Sequence, residues 1–174
     1  SATWEDVYNL CKAKQTGIIT AWPDDVYTGQ TKTTTLSSAV LGSSSLSMRI
    51  IGLDIDGAGT ITFAGASYLP TPIAFGSAFW SSSDVRTQCQ YFYNRCDAKS
   101  YIKTISKKTD KAYGGGNLVT TSETVWILSM AEIGLANDSE TSADPEYTVG
   151  VSTNYPYFSS TTRRKQAQGY TRTR

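Results

Sequence analysis

The sequence contains no histidine in its 174 residues. This absence excludes histidine-dependent catalytic triads, histidine-ligated metal sites and the commonest general base of enzymes. Charge is also scarce, since only 18% of the residues are charged and the formal net charge is +1. A charge so near neutrality argues against nucleic-acid binding by the whole surface. No apolar run reaches the ~18 residues of a membrane-spanning helix, so we expect no membrane insertion.

Cysteine occurs only three times, as Cys11, Cys89 and Cys96. Cys89 and Cys96 lie in a predicted helix, whose rise separates their Cα atoms by about 10 Å, too far for a disulfide. Cys11 can form a disulfide with one of them only if its own predicted helix packs against theirs. We instead expect all three cysteines to be small core residues without a disulfide. Without histidine or a CxxC spacing, three cysteines make a poor zinc site. We therefore predict neither a metal nor another cofactor.

Serine and threonine, by contrast, are abundant. The chain has 21 serines and 24 threonines, together with 11 tyrosines and 14 glycines. This composition is typical of strands and turns. The length suits one domain with a sizeable core and is hardly enough for two, and no linker is visible, so we predict a single domain over residues 1–174.

Local patterns predict two helices and a hairpin. Thr3 caps a first helix that Gly17 ends, and Ser83 or a neighbouring serine caps a second helix whose apolar residues recur at helical spacing. Residues 48–53 and 60–63 are predicted strands, joined by an Asp-Gly turn. Residues 103–111 are predicted to be basic and exposed, and the apolar run 124–129 is typical of a central strand.

The motifs that carry chemistry are weak. Asp54, Asp56 and Gly57 resemble part of a calcium loop, but a third acidic ligand in register and the final glutamate are missing, which favours a hairpin turn. No carboxylate pair can be placed across a cleft, and we predict that the protein is not an enzyme. The basic segment 159–174, with tyrosines before and within it, leaves single-stranded nucleic acid as an alternative to the favoured solvated edge.

Aromatic side chains are the more informative material. Trp80 and Trp126 stand in apolar contexts and are predicted to be core residues. Flat aromatic side chains at a surface stack on sugars or protein partners at low entropic cost. The segment after residue 153 is the better candidate for such a surface, with Asn154, Tyr155, Tyr157 and Phe158 as predicted ligand-binding residues.

Four segments follow one another in a distinctive order: RIIGLDID (49–56), TITF (60–63), WSSSDVR (80–86) and WILSMAE (126–132). This order resembles that of a widespread uncharacterised domain of bacterial and phage proteins. In that family an RIIGFDHD…ITF strand pair precedes a W…S.LR helix start, an LLS..E strand and a WWLRSP-like end. Ile55 replaces the family's histidine, so any role of that histidine is absent. The sequence stops at Arg174, where the last block is expected, which implies closing strands that are cut away, different or supplied from elsewhere.

The last block of the family is similar to the ends of C-type-lectin-like domains. The resemblance therefore implies an α+β, C-type-lectin-like fold with two or so helices packed on a twisted, mostly antiparallel sheet and long Ser/Thr/Gly-rich loops. It also implies a virion or extracellular location.

We expect a non-catalytic binding module displayed on a phage particle, in the tail or a fibre, or on a bacterial surface. Its loops, rich in Tyr, Ser, Thr and Asn, would recognise a carbohydrate or protein receptor on a host surface. The alternative is a purely architectural virion subunit that contacts only other subunits. Either way, an oligomer with other virion or surface subunits as partners is expected.

Overall fold

In the computed structural model, two α-helices and two antiparallel sheets make up an α+β architecture within the described residues. These are residues 2–67, 69–77, 79–110, 118–128, 132–133, 155–160 and 162–163. One sheet has three strands in the order β1-β2-β3, and the other pairs β4 with β5. The elements are α1 (Trp4–Gln15), β1 (Thr31–Val40), β2 (Ser43–Leu53), β3 (Ile61–Gly65), α2 (Asp84–Arg95), β4 (Ile105–Asp110) and β5 (Leu118–Glu123).

Both helices begin where their capping residues predict. The Thr3 hydroxyl accepts the Asp6 amide at 3.1 Å, and the Asp6 carboxylate accepts the Thr3 amide at 2.7 Å, which completes a capping box. The Ser83 hydroxyl accepts the Arg86 amide at 3.1 Å at the start of α2. Gly17 follows α1 with a φ of +76°, a conformation that glycine adopts at little cost. The two helix predictions are confirmed.

The β1–β2 hairpin turns through Leu41 and Gly42, which both have positive φ, +47° and +81°. Val40 pairs with Ser43 across this two-residue turn, as expected of a turn that matches strand twist. The pairing shifts between Thr35 and Val40. There Leu36 of β1 instead forms an isolated bridge with Cys96, the residue that follows α2.

The predicted hairpin of β2 and β3 is confirmed, and it contains a bulge. Ile50 pairs with Phe63 and Gly52 with Thr62, so Ile51 is an extra residue in β2. A bulge interrupts the alternation of side chains between the two faces of a strand. Three consecutive residues, Ile50, Ile51 and Gly52, are consequently buried.

The Gly52 position has no room for a side chain. A Cβ atom there would lie 2.8 Å from Ile55 Cγ1 and 3.0 Å from Tyr155 Cδ1. We expect Gly52→Ala to lower the free energy of unfolding by about 1–3 kcal/mol, the usual cost of overpacking. The measurement is urea denaturation, with Gly65→Ala as the matched control because a Cβ there meets its nearest neighbour at 3.5 Å. Equal losses in the two variants would contradict this packing.

The second sheet departs from the sequence predictions. Residues 105–110 form β4 and are not a wholly exposed stretch: the Lys107 side chain is only 14% exposed. The run 124–129, predicted as a central strand, follows β5, and its described part, 124–128, contains no strand. Ile127 in that run is 48% exposed. An apolar run alone does not distinguish a strand from an irregular segment. The strand that pairs with β4 is β5, the polar segment that precedes this apolar run.

Two apolar clusters form the described core. One contains Ile51, Ile133, Tyr155 and Phe158 and lies under β2. The other lies between β1 and α2 and contains Leu36, Val40, Phe92, Cys96 and Ala98. The predicted α+β class with antiparallel strands is thus confirmed, but the described strands form two small sheets where one was expected. None of the described helices combines the length and apolar character needed to cross a membrane.

The three cysteines are unpaired, as expected from the spacing of Cys89 and Cys96. Burial raises the pKa of all three thiols, and the nearby Glu123 carboxylate helps to raise that of Cys89 to about 12. Because the thiolate is the reactive form, we expect slow reaction of the folded protein with a disulfide reagent at pH 8. In guanidinium chloride all three thiols should react fast. A thiol that reacts in the folded protein as fast as in the denaturant would contradict the burial described.

Candidate functional site

Two of the predicted ligand-binding residues are buried. Tyr155 is 0% exposed and Phe158 is 6% exposed, so the prediction of an exposed patch is wrong for these two side chains. The short 3-10 helix Pro156–Ser159 places Phe158 against the core beneath β2. Tyr157 is half-buried and remains a candidate, while Asn154 lies outside the described residues.

Tyr157 is held between two arginines. Arg49 donates a hydrogen bond of 2.7 Å to its hydroxyl, and the Arg49 guanidinium carbon lies 5.2 Å from its ring centre. Arg163 lies over the same ring at 4.5 Å and donates to the Tyr157 carbonyl at 3.1 Å. Cation–π contacts of this kind are attractive. Tyr157 is therefore a half-buried aromatic side chain flanked by two cations.

A buried polar cluster, which we call the Lys107 cluster, lies beside the hydroxyl of Tyr155. Lys107 Nζ donates to Glu132 Oε1 at 2.5 Å and to the Tyr155 hydroxyl at 3.2 Å, and it lies 3.7 Å from Asp56 Oδ1. The Tyr155 hydroxyl donates to Asp56 at 2.9 Å, and the Thr62 hydroxyl donates to the same carboxylate at 2.6 Å. The cluster therefore joins β3, β4 and the β2–β3 turn to Glu132 and Tyr155.

The surroundings of the cluster are apolar and aromatic. Lys107 Nζ lies 4.2 Å from the centre of the Trp126 ring. The side chains of Lys107, Asp56 and Glu132 are 14%, 11% and 4% exposed. Burial raises the pKa of Tyr155, and the carboxylates of Asp56 and Glu132 raise it further. The Tyr155 hydroxyl therefore stays protonated and donates a hydrogen bond to Asp56.

Sequence reasoning missed the Lys107 cluster, although one signal was available. Ile105 and Lys107 are half-buried and Ser106 is exposed, which is the alternation of a strand. Reading residues 105–107 with a period of two would have placed Lys107 on the same face as Ile105. The cluster of basic residues around it pointed instead to a solvated segment.

A second buried carboxylate, Glu123, ties β5 to α2. Glu123 is 3% exposed, and its Oε1 accepts hydrogen bonds from Trp80 Nε1 at 3.0 Å and from Arg86 Nε at 2.9 Å. Trp80 itself is 8% exposed, so its prediction as a core residue is confirmed. These three side chains satisfy one another and act as a structural link.

The calcium-like segment is a turn with its own contacts. Asp54 has a φ of +59°; its Oδ1 accepts the Gly59 amide at 2.7 Å and its Oδ2 accepts Trp22 Nε1 at 2.9 Å. Lys14 lies 3.6 Å from the same carboxylate. Within the described residues, no three potential metal-ligating side chains lie together. The interpretation as a hairpin turn is confirmed.

The acid stability of the protein should depend on Asp97. Burial opposes ionisation of this carboxyl group, but hydrogen bonds from the hydroxyls of Thr34 and Thr35, at 2.5 and 2.8 Å, outweigh it and lower the pKa. The resulting stabilisation is present above the unfolded pKa of about 4 and is lost as the pH falls through the lower folded value. Asp97→Asn should therefore reduce stability at pH 7 and make the loss of stability below pH 4 shallower.

The measurement is denaturant unfolding between pH 2 and pH 7, with Asp24→Asn, an exposed aspartate, as the matched control. If Asp97→Asn lost stability in parallel with the parent protein over the whole range, Asp97 would not be the linked group.

An exposed pair of tyrosines lies between α1 and the short 3-10 helix that follows α2. Tyr8 on α1 and Tyr101 at the end of the 3-10 helix Lys99–Tyr101 have ring centres 5.4 Å apart, with a tilt of 41° between the rings. They are 38% and 37% exposed. We call them the Tyr8–Tyr101 pair. Sequence reasoning missed it because the two residues come together only when α1 packs near the end of α2.

Comparisons with protein-family models, with curated proteins and with solved structures returned no match. The resemblance described above therefore rests on the residue pattern alone. The described residues offer a closed polar cluster inside and aromatic side chains outside.

Proposed function

We propose that the protein is a non-catalytic binding module that recognises a carbohydrate or a protein through exposed aromatic side chains. The observation that carries this proposal is the Tyr8–Tyr101 pair, two neighbouring rings that are each more than one-third exposed. Exposed tyrosines stack on sugar rings and on protein surfaces with little loss of conformational entropy. Tyr157, flanked by Arg49 and Arg163, is a second candidate for a contact residue.

The arrangement of the buried charges supports a binding role over a catalytic one. Glu123 and Glu132 accept hydrogen bonds from Arg86 and Lys107, and Asp56 accepts from Tyr155. Carboxylates that already accept hydrogen bonds from other side chains of the protein have a structural role, and their oxygen atoms are less available to bind a substrate. The chain also lacks histidine, the commonest general base.

We further propose that the module is displayed on a phage particle or a bacterial surface, with other virion or surface subunits as partners. The segment pattern that resembles bacterial and phage domains supports this setting. A C-type-lectin-like arrangement is proposed on the same pattern, and two helices with antiparallel strands are compatible with it. The competing proposal is an architectural virion subunit whose contacts are all to other subunits.

A glycan array and a host-cell pull-down test the binding role directly. We expect binding that falls about tenfold or more in Tyr8→Ala/Tyr101→Ala. The matched control is Tyr27→Ala/Tyr91→Ala, because these tyrosines are also exposed, at 59% and 45%. If binding fell equally in the two double variants, the Tyr8–Tyr101 pair would not be the binding site. Capture of virion subunits alone, with no glycan or host protein bound, would favour the architectural role.

A further inference from the structure

The Lys107 cluster places an amine against two carboxyl groups in a buried site. Lys107 Nζ lies 3.7 Å from Asp56 Oδ1 and 2.5 Å from Glu132 Oε1. We propose that Lys107 and Asp56 condense to an intramolecular amide bond, with Glu132 transferring the protons. The bond would join β4 covalently to the turn between β2 and β3, and so link the two sheets.

The chemistry balances without an external reagent. The Lys107 ammonium first gives a proton to Glu132, which passes it to the Asp56 carboxylate. The neutral amine then attacks the carbon of the protonated Asp56 carboxyl group to form a C–N bond. One C–O bond of Asp56 breaks. Its oxygen leaves as water with two protons, both of which come from the Lys107 nitrogen and pass through Glu132. One cation and one anion are lost, Glu132 returns to its starting state, and no oxidant or reductant is needed.

The hydroxyl groups around Asp56 are placed to assist this attack. Tyr155 donates to Oδ1 and Oδ2 at 3.1 and 2.9 Å, and Thr62 donates to Oδ2 at 2.6 Å. Donors fixed at a carboxyl oxygen stabilise the negative charge that develops there during nucleophilic attack. Holding the amine and the carboxyl group at contact distance supplies a large effective concentration.

The burial of the cluster favours the amide over the separated charges. Lys107 lies beneath the ring of Trp126, at 4.2 Å, and 5.6 Å from the centre of the Tyr155 ring. Water is largely excluded from side chains this deeply buried, which disfavours hydrolysis. Keeping a lysine and an aspartate ionised in such a place is costly, and condensation removes both charges. The ion-pair network alone is the competing explanation of the same contacts.

The test is the intact mass of the folded, reduced protein after incubation at neutral pH. We expect a mass lower than that of the sequence by about 18 Da, one water molecule. Lys107→Arg and Glu132→Gln should each show the full mass. Lys103→Arg, the same change at an exposed lysine, should keep the loss. A folded parent protein of full mass would overturn the proposal.

Peptide mapping locates the bond and distinguishes it from a second reaction that would also release one water molecule. Asp56 precedes Gly57, and an Asp-Gly pair can lose water by forming a cyclic imide within its own backbone. Tryptic digestion should join the peptide 50–86, which contains Asp56, to the peptide 104–108, which contains Lys107. A cyclic imide at Asp56, a water loss retained in Lys107→Arg, or a link from Lys107 to Glu132 would each refute the proposed bond. This test needs no ligand and is independent of the proposed function.

Discussion

Lys107→Met is expected to lower the free energy of unfolding by about 3–5 kcal/mol, the cost of removing one partner from a buried ion pair. The substitution keeps an unbranched side chain of similar length but removes the ammonium group that lies 2.5 Å from the Glu132 carboxylate, which is only 4% exposed. It also leaves Asp56 with hydroxyl donors alone. Where the proposed amide has formed, the same variant also removes the cross-link, so both effects act in the same direction.

Urea denaturation at pH 7 measures this effect, with Lys103→Met as the matched control on an exposed lysine of the same segment. The control should change stability by less than about 0.5 kcal/mol. A loss below about 1 kcal/mol for Lys107→Met, which is typical of a surface pair, would mean that Lys107 is solvated.

Trp80→Ala is the second change with a large expected effect. The Trp80 ring is 8% exposed, and its Nε1 donates to the buried Glu123 at 3.0 Å. Removing a buried tryptophan leaves a cavity and costs about 3–5 kcal/mol. Trp80→Phe keeps much of the volume but removes the donor, so we expect it to cost about 1–3 kcal/mol.

The control for Trp80 is the neighbouring Phe79→Ala, since Phe79 is 37% exposed. Thermal or chemical denaturation should rank the variants with Trp80→Ala least stable, Trp80→Phe intermediate and Phe79→Ala nearest the parent. If Phe79→Ala cost as much as Trp80→Ala, the assignment of Trp80 to the core would be wrong.

The features predicted best from the sequence depend on neighbouring residues only. The Thr3 cap, the Ser83 cap and the β2–β3 hairpin are each determined within a few residues of chain. Capping and turn chemistry are local, so a single sequence contains the information. These features locate the two helices and the first sheet.

The second sheet depends on contacts between distant residues. β5 is the polar segment Leu118–Glu123, whereas the more apolar residues after it are irregular. Composition favoured the apolar run because strands are usually recognised by apolar and β-branched residues. Pairing with β4 overrides that preference, as tertiary context often does.

The candidate site was harder to predict because the same residue types occur both in the core and on the surface of a protein. Tyr155 and Tyr157 are two residues apart, yet one is buried and the other is half-buried. Tyrosine has an apolar ring and a polar tip, so composition alone does not tell a core position from a surface position. Tyr155 is a core residue because its hydroxyl bonds to Asp56 and Lys107. Both of these partners lie far from Tyr155 in the sequence.

The central claim is that the Lys107 cluster acts as one unit that holds together the β2–β3 turn, β4 and Tyr155, the residue before the 3-10 helix Pro156–Ser159. A double-mutant cycle of Lys107→Met and Glu132→Met, measured by urea denaturation, tests it most directly. We predict that the double variant is more stable than the sum of the single losses implies, by about 1–3 kcal/mol, because each single change already removes the same interaction between Lys107 and Glu132. Losses that add to within about 0.5 kcal/mol would show that the two side chains do not interact, and would contradict the claim.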